Sequence, residues 1–135
     1  MSGVKDLKVL LGSMKPVLID EEFVFCIAKG EVSQYLALEP IATFTESEGL
    51  TLVLAKDKAG KAGLNYEGVF RQITLTVRSS LDAVGLTAAV STKLTSNGIS
   101  ANVIAAYYHD HVFVSSEQAE QALFALKELS NESIF

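Results

Sequence analysis

Ile73-Thr74-Leu75-Thr76-Val77 alternates apolar and polar side chains, Ser79-Ser80-Leu81-Asp82 reads as a turn, and Leu86, Ala89, Val90 and Leu94 recur at helical spacing up to Asn97-Gly98. Period two places alternate side chains on opposite faces of a strand, and a three-to-four spacing places them on one face of a helix. A β-rich run from Ile99 to Val114 follows, and Ser116 to Ser130 reads as a second helix. The stretch from Arg71 to Gln121 therefore carries strand, helix, hairpin and helix, most of a βαββαβ unit. Only Asn131 to Phe135 remain after it, too few for a full final strand, so a strand from the first half would be needed to complete the unit.

Upstream, Leu7, Leu10 and Leu11 fall on one helical face within Lys5 to Met14, with Ser2 as an expected cap and Pro16 as the stop. Pro16 to Ile19 and Phe23 to Ala28 read as two β segments, and Lys29-Gly30-Glu31 as the turn that ends the second. Val32 to Pro40 fits no single period. Ile41 to Thr45 and Leu50 to Leu54 form an expected hairpin around Glu46-Ser47-Glu48-Gly49, and Lys56 to Ala62 a weak helix closed by Gly63. Asn65-Tyr66-Glu67-Gly68 marks a boundary between halves, 1–66 and 67–135. Alternation of short helices with hairpins in both halves implies an α+β fold, antiparallel sheets with helices packed on one face.

A chain of 135 residues, 49% hydrophobic, can bury one ordinary core or two small ones and is not a disordered composition. Its 11 basic against 16 acidic residues give −5, and no Lys/Arg cluster is present to track a phosphate backbone, which argues against nucleic acid. No apolar run approaches the roughly 20 residues of a membrane span, and no secretory core follows Met1, so a cytoplasmic location without membrane association is expected. Cys26 is the only cysteine, which excludes an intrachain disulfide and a Cys-based zinc site, and it reads as a buried structural thiol.

Ser80-Leu81-Asp82-Ala83-Val84-Gly85-Leu86, Asn97-Gly98-Ile99-Ser100 and His109-Asp110-His111-Val112-Phe113-Val114, in that order and spacing, resemble the ACT domain, a small-molecule regulatory fold of ferredoxin-like βαββαβ type. Phe44 to Val53 is similar to the first partner in small tandem-ACT proteins related to amino-acid sensors. Two departures stand out: Val84 occupies a position where proline often precedes the glycine, and Asn102 lies further along its strand than in aspartokinase-type domains. The resemblance implies a free amino acid bound at an interface between two ACT units, contacted by Ser80, Leu81, Asp82, Ala83, Val84, Gly85 and Leu86 and by Asn102, Val103 and Ile104 on the strand after the helix. It also implies a regulator or sensor, an expected homodimer, with no cofactor.

The residues themselves admit both this reading and a plainer one. Asp82 at the expected helix start, with the free N–H groups of the turn Ala83 to Leu86, suits a ligand carboxylate, and it equally suits a simple helix cap. Gly85 lets a ligand or a neighbouring chain approach closely. Asn102 offers a donor and an acceptor to an amino acid or to a backbone group. Tyr107-Tyr108-His109-Asp110-His111 reads as a hairpin turn rather than a metal site, because adjacent strand residues point to opposite faces. Glu46 and Glu48 flank a turn as solvated residues. With no phosphate loop, nucleophile elbow or dinucleotide fingerprint, and no evident base for Ser91, Ser96 or Ser100, no catalytic residue is expected. The competing function is a structural or protein-interaction module that dimerises through sheet edges without any metabolite.

Overall fold

Apolar side chains every second residue can be buried only if one face of the strands is covered, and in this chain helices cover it. The computed structural model describes residues 6–77 and 85–132. Its elements in order are α1 (Leu7–Ser13), β1 (Pro16–Ala28), a 3-10 segment (Val32–Leu38), β2 (Ala42–Glu46), β3 (Gly49–Ala55), α2 (Lys56–Lys61), β4 (Phe70–Leu75), α3 (Leu86–Ser96), β5 (Asn102–Ala105), β6 (Asp110–Ser115), a 3-10 turn (Ser116–Gln118) and α4 (Ala119–Glu132). They divide into two compact units, residues 1–20 with 71–135, and residues 21–70. The fold is α+β and ferredoxin-like, with antiparallel strand pairs and helices.

In the first unit the strand order is β1-β4-β6-β5. Here β1 contributes its opening residues, Pro16 to Asp20. Lys15 O accepts from the Thr76 N–H and hydroxyl, and Arg71 donates from Nε and a terminal nitrogen to Ile19 O at 3.0 and 2.8 Å. That segment occupies the place of the missing last strand of the βαββαβ unit, so the first half of the chain supplies it. Ile73, Leu75, Val77, Val112 and Val114 face one way and pack with Leu10, Met14, Leu86, Val90, Leu94 and Leu126 of the helices. The α1 helix is capped by Asp6, whose carboxylate accepts from Val9 N at 3.2 Å. Ser2, the cap expected from sequence, lies outside the described residues.

The second unit has the order β2-β3-β1, with Phe23 to Ala28 paired to Ala55 to Leu50 and β2 paired to β3 through the Glu46–Gly49 turn. A single bridge from Cys26 to Tyr66 stands where a fourth strand would run. This is again the βαββαβ order, with the 3-10 segment in place of the first helix and α2 as the second. Val24, Cys26, Ala28, Leu50, Leu52, Leu54 and Ala59 form its core under Tyr35, Leu38, Leu64 and Tyr66. Burial raises the pKa of the Cys26 thiol, since a thiolate there would lose hydration. The segment Val32 to Pro40, which has no period, is mostly 3-10 helix, with the Glu31 N–H donating to Gln34 Oε1 at 2.8 Å.

Two boundaries differ from the sequence reading. The β segments at Pro16 and Phe23 are one strand: Asp20-Glu21-Glu22 contains no glycine or proline to turn the chain, its side chains are exposed in the extended conformation, and Glu22 pairs with Lys56 Nζ at 3.6 Å. The cap expected at Asp82, which lies outside the described residues, is Gly85 instead, at φ +101°, and α3 begins at Leu86.

Candidate functional site

The expected ligand residues lie on the first unit. Ser80, Leu81, Asp82, Ala83 and Val84 are outside the described residues. Gly85 is the cap of α3 rather than a member of its first turn, and its carbonyl accepts from Ala89 N at 2.9 Å. Its left-handed backbone is the reason for glycine. The space a Cβ would take is already approached by Leu7 Cδ2, 3.1 Å away, so the neighbour admitted there is the α1 side chain. Leu86 points into the core and is 4% exposed, which leaves only its backbone for a ligand.

On β5 the alternation separates the three expected residues. Val103 pairs with Val112 and packs on the helix-side core, whereas Asn102 pairs with Phe113 and Ile104 with His111 on the helix-free face. Asn102 is exposed and β5 is the last strand in the order, so among the described residues its outer backbone edge carries no ladder. The crossover from β4 to β5 runs along α3, about 16 Å for eleven residues at the usual rise, which sets Gly85 and Asn102 at opposite ends of the helix. The structure thus brings Asn102 and Ile104 to one surface and keeps Gly85, Leu86 and Val103 from joining them within the same unit.

Two features of this unit are not legible in the sequence. A groove of 530 Å³ runs beside α3, lined by Leu7, Gly85, Ala89, Thr92, Ser96 and Leu129 among others, where small residues at helical spacing leave room. Gly85, Ala89, Thr92 and Ser96 were the only hint. The second feature is a polar cluster on the helix-free face. His111 Nδ1 lies 3.1 Å from Gln72 Nε2 and 3.0 Å from Thr74 Oγ1, and Gln72 also donates to Thr74 at 2.9 Å. With the Gln72 amide in this orientation its nitrogen donates to Nδ1, an arrangement that goes with the proton of neutral His111 on Nε2. Among the described residues no three His, Cys, Asp or Glu side chains gather as metal ligands.

Burial lowers the His111 pKa, positive His109 nearby lowers it further, and Asp110 opposes both. A depressed folded-state value means that stability is complete above the unfolded value of about 6.5 and falls as pH drops through it toward the folded value. Burial moves Asp110 the other way, raising its pKa against the pull of His111 and His109. The expected result is that the urea midpoint of the native protein falls from about pH 7.5 to about pH 5.5 more steeply than that of His111→Gln, whose amide does not titrate. Equal slopes would show that His111 contributes nothing to acid sensitivity.

Among the described residues no helix is long and apolar enough to cross a membrane. Two ACT domain models match the chain in tandem, over residues 2–71 and 68–128. No curated protein matches it. Among solved structures it is similar to a Vibrio cholerae protein of unknown function, described as a possible transport protein, at 60% identity and TM-score 0.86, covering 96% of this chain and 99% of that one. An Agrobacterium tumefaciens protein shares the fold at 16% identity and TM-score 0.69, covering 87% of this chain and 89% of its own. The ligand-free regulatory subunit of aspartate kinase from Thermus thermophilus does so at 15% identity and TM-score 0.60, covering 87% and 98% respectively. With one ACT model spanning just over half of its residues and a second continuing to residue 128, the chain belongs to the ACT domain family.

Proposed function

We propose that this chain is a non-catalytic regulatory protein that binds a free amino acid at an interface between ACT units, in the cytoplasm and as a homodimer. The observation that carries the reading is the tandem pair of ACT domains, which together account for residues 2–128 and include no catalytic domain. The shared fold with an aspartate kinase regulatory subunit supports the regulatory part. Ser80 to Leu86 of one ACT unit would hold the carboxylate through backbone N–H groups near Asp82, and Asn102 and Ile104, with Val103 between them, would present the amide and an apolar contact from another. The separation of Gly85 from Asn102 within one unit favours a ligand shared between two units over one enclosed by a single unit. A regulatory ligand acts by binding one state better than another, so its effect would be read in a partner protein or in assembly.

Thermal melting against each of the twenty amino acids, repeated on Asp82→Ala, tests this. One amino acid is expected to raise Tm, since ligand at about 100 times Kd adds about 2.7 kcal/mol, and the rise should disappear in the variant. No rise with any amino acid would sink the sensor reading. The alternative, a homodimer without metabolite, draws on the end strands β2 and β5, whose outer edges carry no ladder among the described residues, with Phe44 of β2 70% exposed. It predicts a dimer in light scattering that no amino acid alters.

A further inference from the structure

The second unit ends its sheet with one bridge, Cys26 to Tyr66, instead of a full strand, and the helix-free face opens beside it. A cavity of 620 Å³ lies there, lined by Phe25, Ile27, Glu46, Thr51, Asn65 and Glu67, with the backbone of Cys26 and Tyr66 beneath. Strand alternation explains the lining. Cys26 and Tyr66 turn their side chains into the helix-side core, so Phe25, Ile27, Asn65 and Glu67 must project from the opposite face. Thr51 pairs with both Ile27 and Phe44 and shares that face, as does Glu46, two residues beyond Phe44. Ile27 is 56% exposed, an apolar floor without a cover among the described residues.

The walls carry one sign of charge. Glu46 stands on one side with its carboxylate held by the Thr51 hydroxyl, Glu67 lines the other with Asn65, and among the described residues no Lys, Arg or His lines the cavity. The volume lies within the usual range for small-ligand sites, and an apolar floor between two carboxylates selects by charge and shape together. We propose that this trough is a second binding site, distinct from the amino-acid site above, for a small organic cation with an aliphatic body: the ammonium groups pair with Glu46 and Glu67 and the methylene chain lies on Ile27 and Phe25. An anion or an uncharged aliphatic molecule lacks the first of these interactions.

The probe is 1,5-diaminopentane, titrated at up to about 10 mM into the full chain by calorimetry and by amide-resolved NMR, with glutarate as the anionic counterpart. Saturable binding is expected, with the shifts confined to Phe25 to Ile27, Glu46, Thr51 and Asn65 to Glu67, and with no response to glutarate. Glu67→Gln and Glu46→Gln should each weaken binding about three- to fivefold and the double variant about tenfold or more, while Glu117→Gln on the other unit changes nothing. Glu67→Gln keeps the test sound if the loss of the Thr51 contact unsettles Glu46→Gln. Failure to bind, shifts elsewhere, equal binding of glutarate, or affinity unaffected by both substitutions would overturn the proposal. Asp82→Ala should leave diamine binding intact, so the two sites fail or stand separately.

Discussion

Leu10→Ala is expected to destabilise the protein by about 2–5 kcal/mol, the range for emptying a buried leucine site, and to lower the urea midpoint by roughly 1–2 M. Leu10 is fully buried and shares a core with Ile73, Leu94, Val114 and Leu126. A helix of seven residues such as α1 is not stable alone, so its order comes from that packing, and its packing in turn closes the core of a unit most of whose residues lie at position 71 and beyond. Val9, next along the chain and 51% exposed, provides the control: Val9→Ala should change stability by no more than about 0.5 kcal/mol. If the two variants unfold at the same denaturant concentration, α1 is not part of the core.

The second large effect is expected at the entrance to α3. Gly85→Val places a β-branched side chain at φ +101° and a Cβ 3.1 Å from Leu7 Cδ2, combining backbone strain with crowding, for about 2–4 kcal/mol. Gly98 separates the two causes. Its φ is +72° and nothing lies within 4 Å of an added Cβ, so Gly98→Ala should show the strain alone, about 1–2 kcal/mol. Gly85→Val paired with Leu7→Ala should recover the crowding part and leave the strain. Recovery to the native value would mean that backbone conformation is unimportant at this position, and no recovery would mean that Leu7 is not the obstacle. Because Gly85 also sets where α3 begins, the amino-acid binding proposed above for residues 80–86 is expected to weaken in Gly85→Val even under conditions where the fold persists.

Much of the fold is local and therefore readable. The helical spacing of Leu86, Val90 and Leu94, the alternation from Ile73 to Val77, and the hairpin around Glu46 to Gly49 are consequences of side-chain period and turn chemistry, and each element stands close to where these place it. The ACT resemblance rests on the order of those same elements. The sequence places the cap of α3 three residues too early because an aspartate before an apolar run is a strong cap signal, whereas a glycine is chosen for a backbone angle that sequence does not display. The site was less legible. Asn102 and Ile104 could be placed on one strand face by counting, but which face stays free of helices, and that Asn102 lies a helix length from Gly85, depend on packing.

Composition and periodicity alone determined that this is an α+β protein of short elements, without a disulfide, with most of a βαββαβ unit in its second half; the resemblance to ACT domains added the second unit. They also led to the expectation that the second half draws a strand from the first. Tertiary structure alone decided where that strand comes from: Pro16 to Asp20 beside β4, in a strand that continues through Asp20-Glu21-Glu22 into the other unit. It likewise decided that Leu7 fills the notch at Gly85 and that Glu46, Thr51, Ile27 and Glu67 line one trough. The physical reason is the same in each case. Dihedral preferences and side-chain period act over a few neighbouring residues and are written in the sequence, while strand partners and cavity walls are chosen by burying surface between segments some fifty residues apart, which no local pattern specifies.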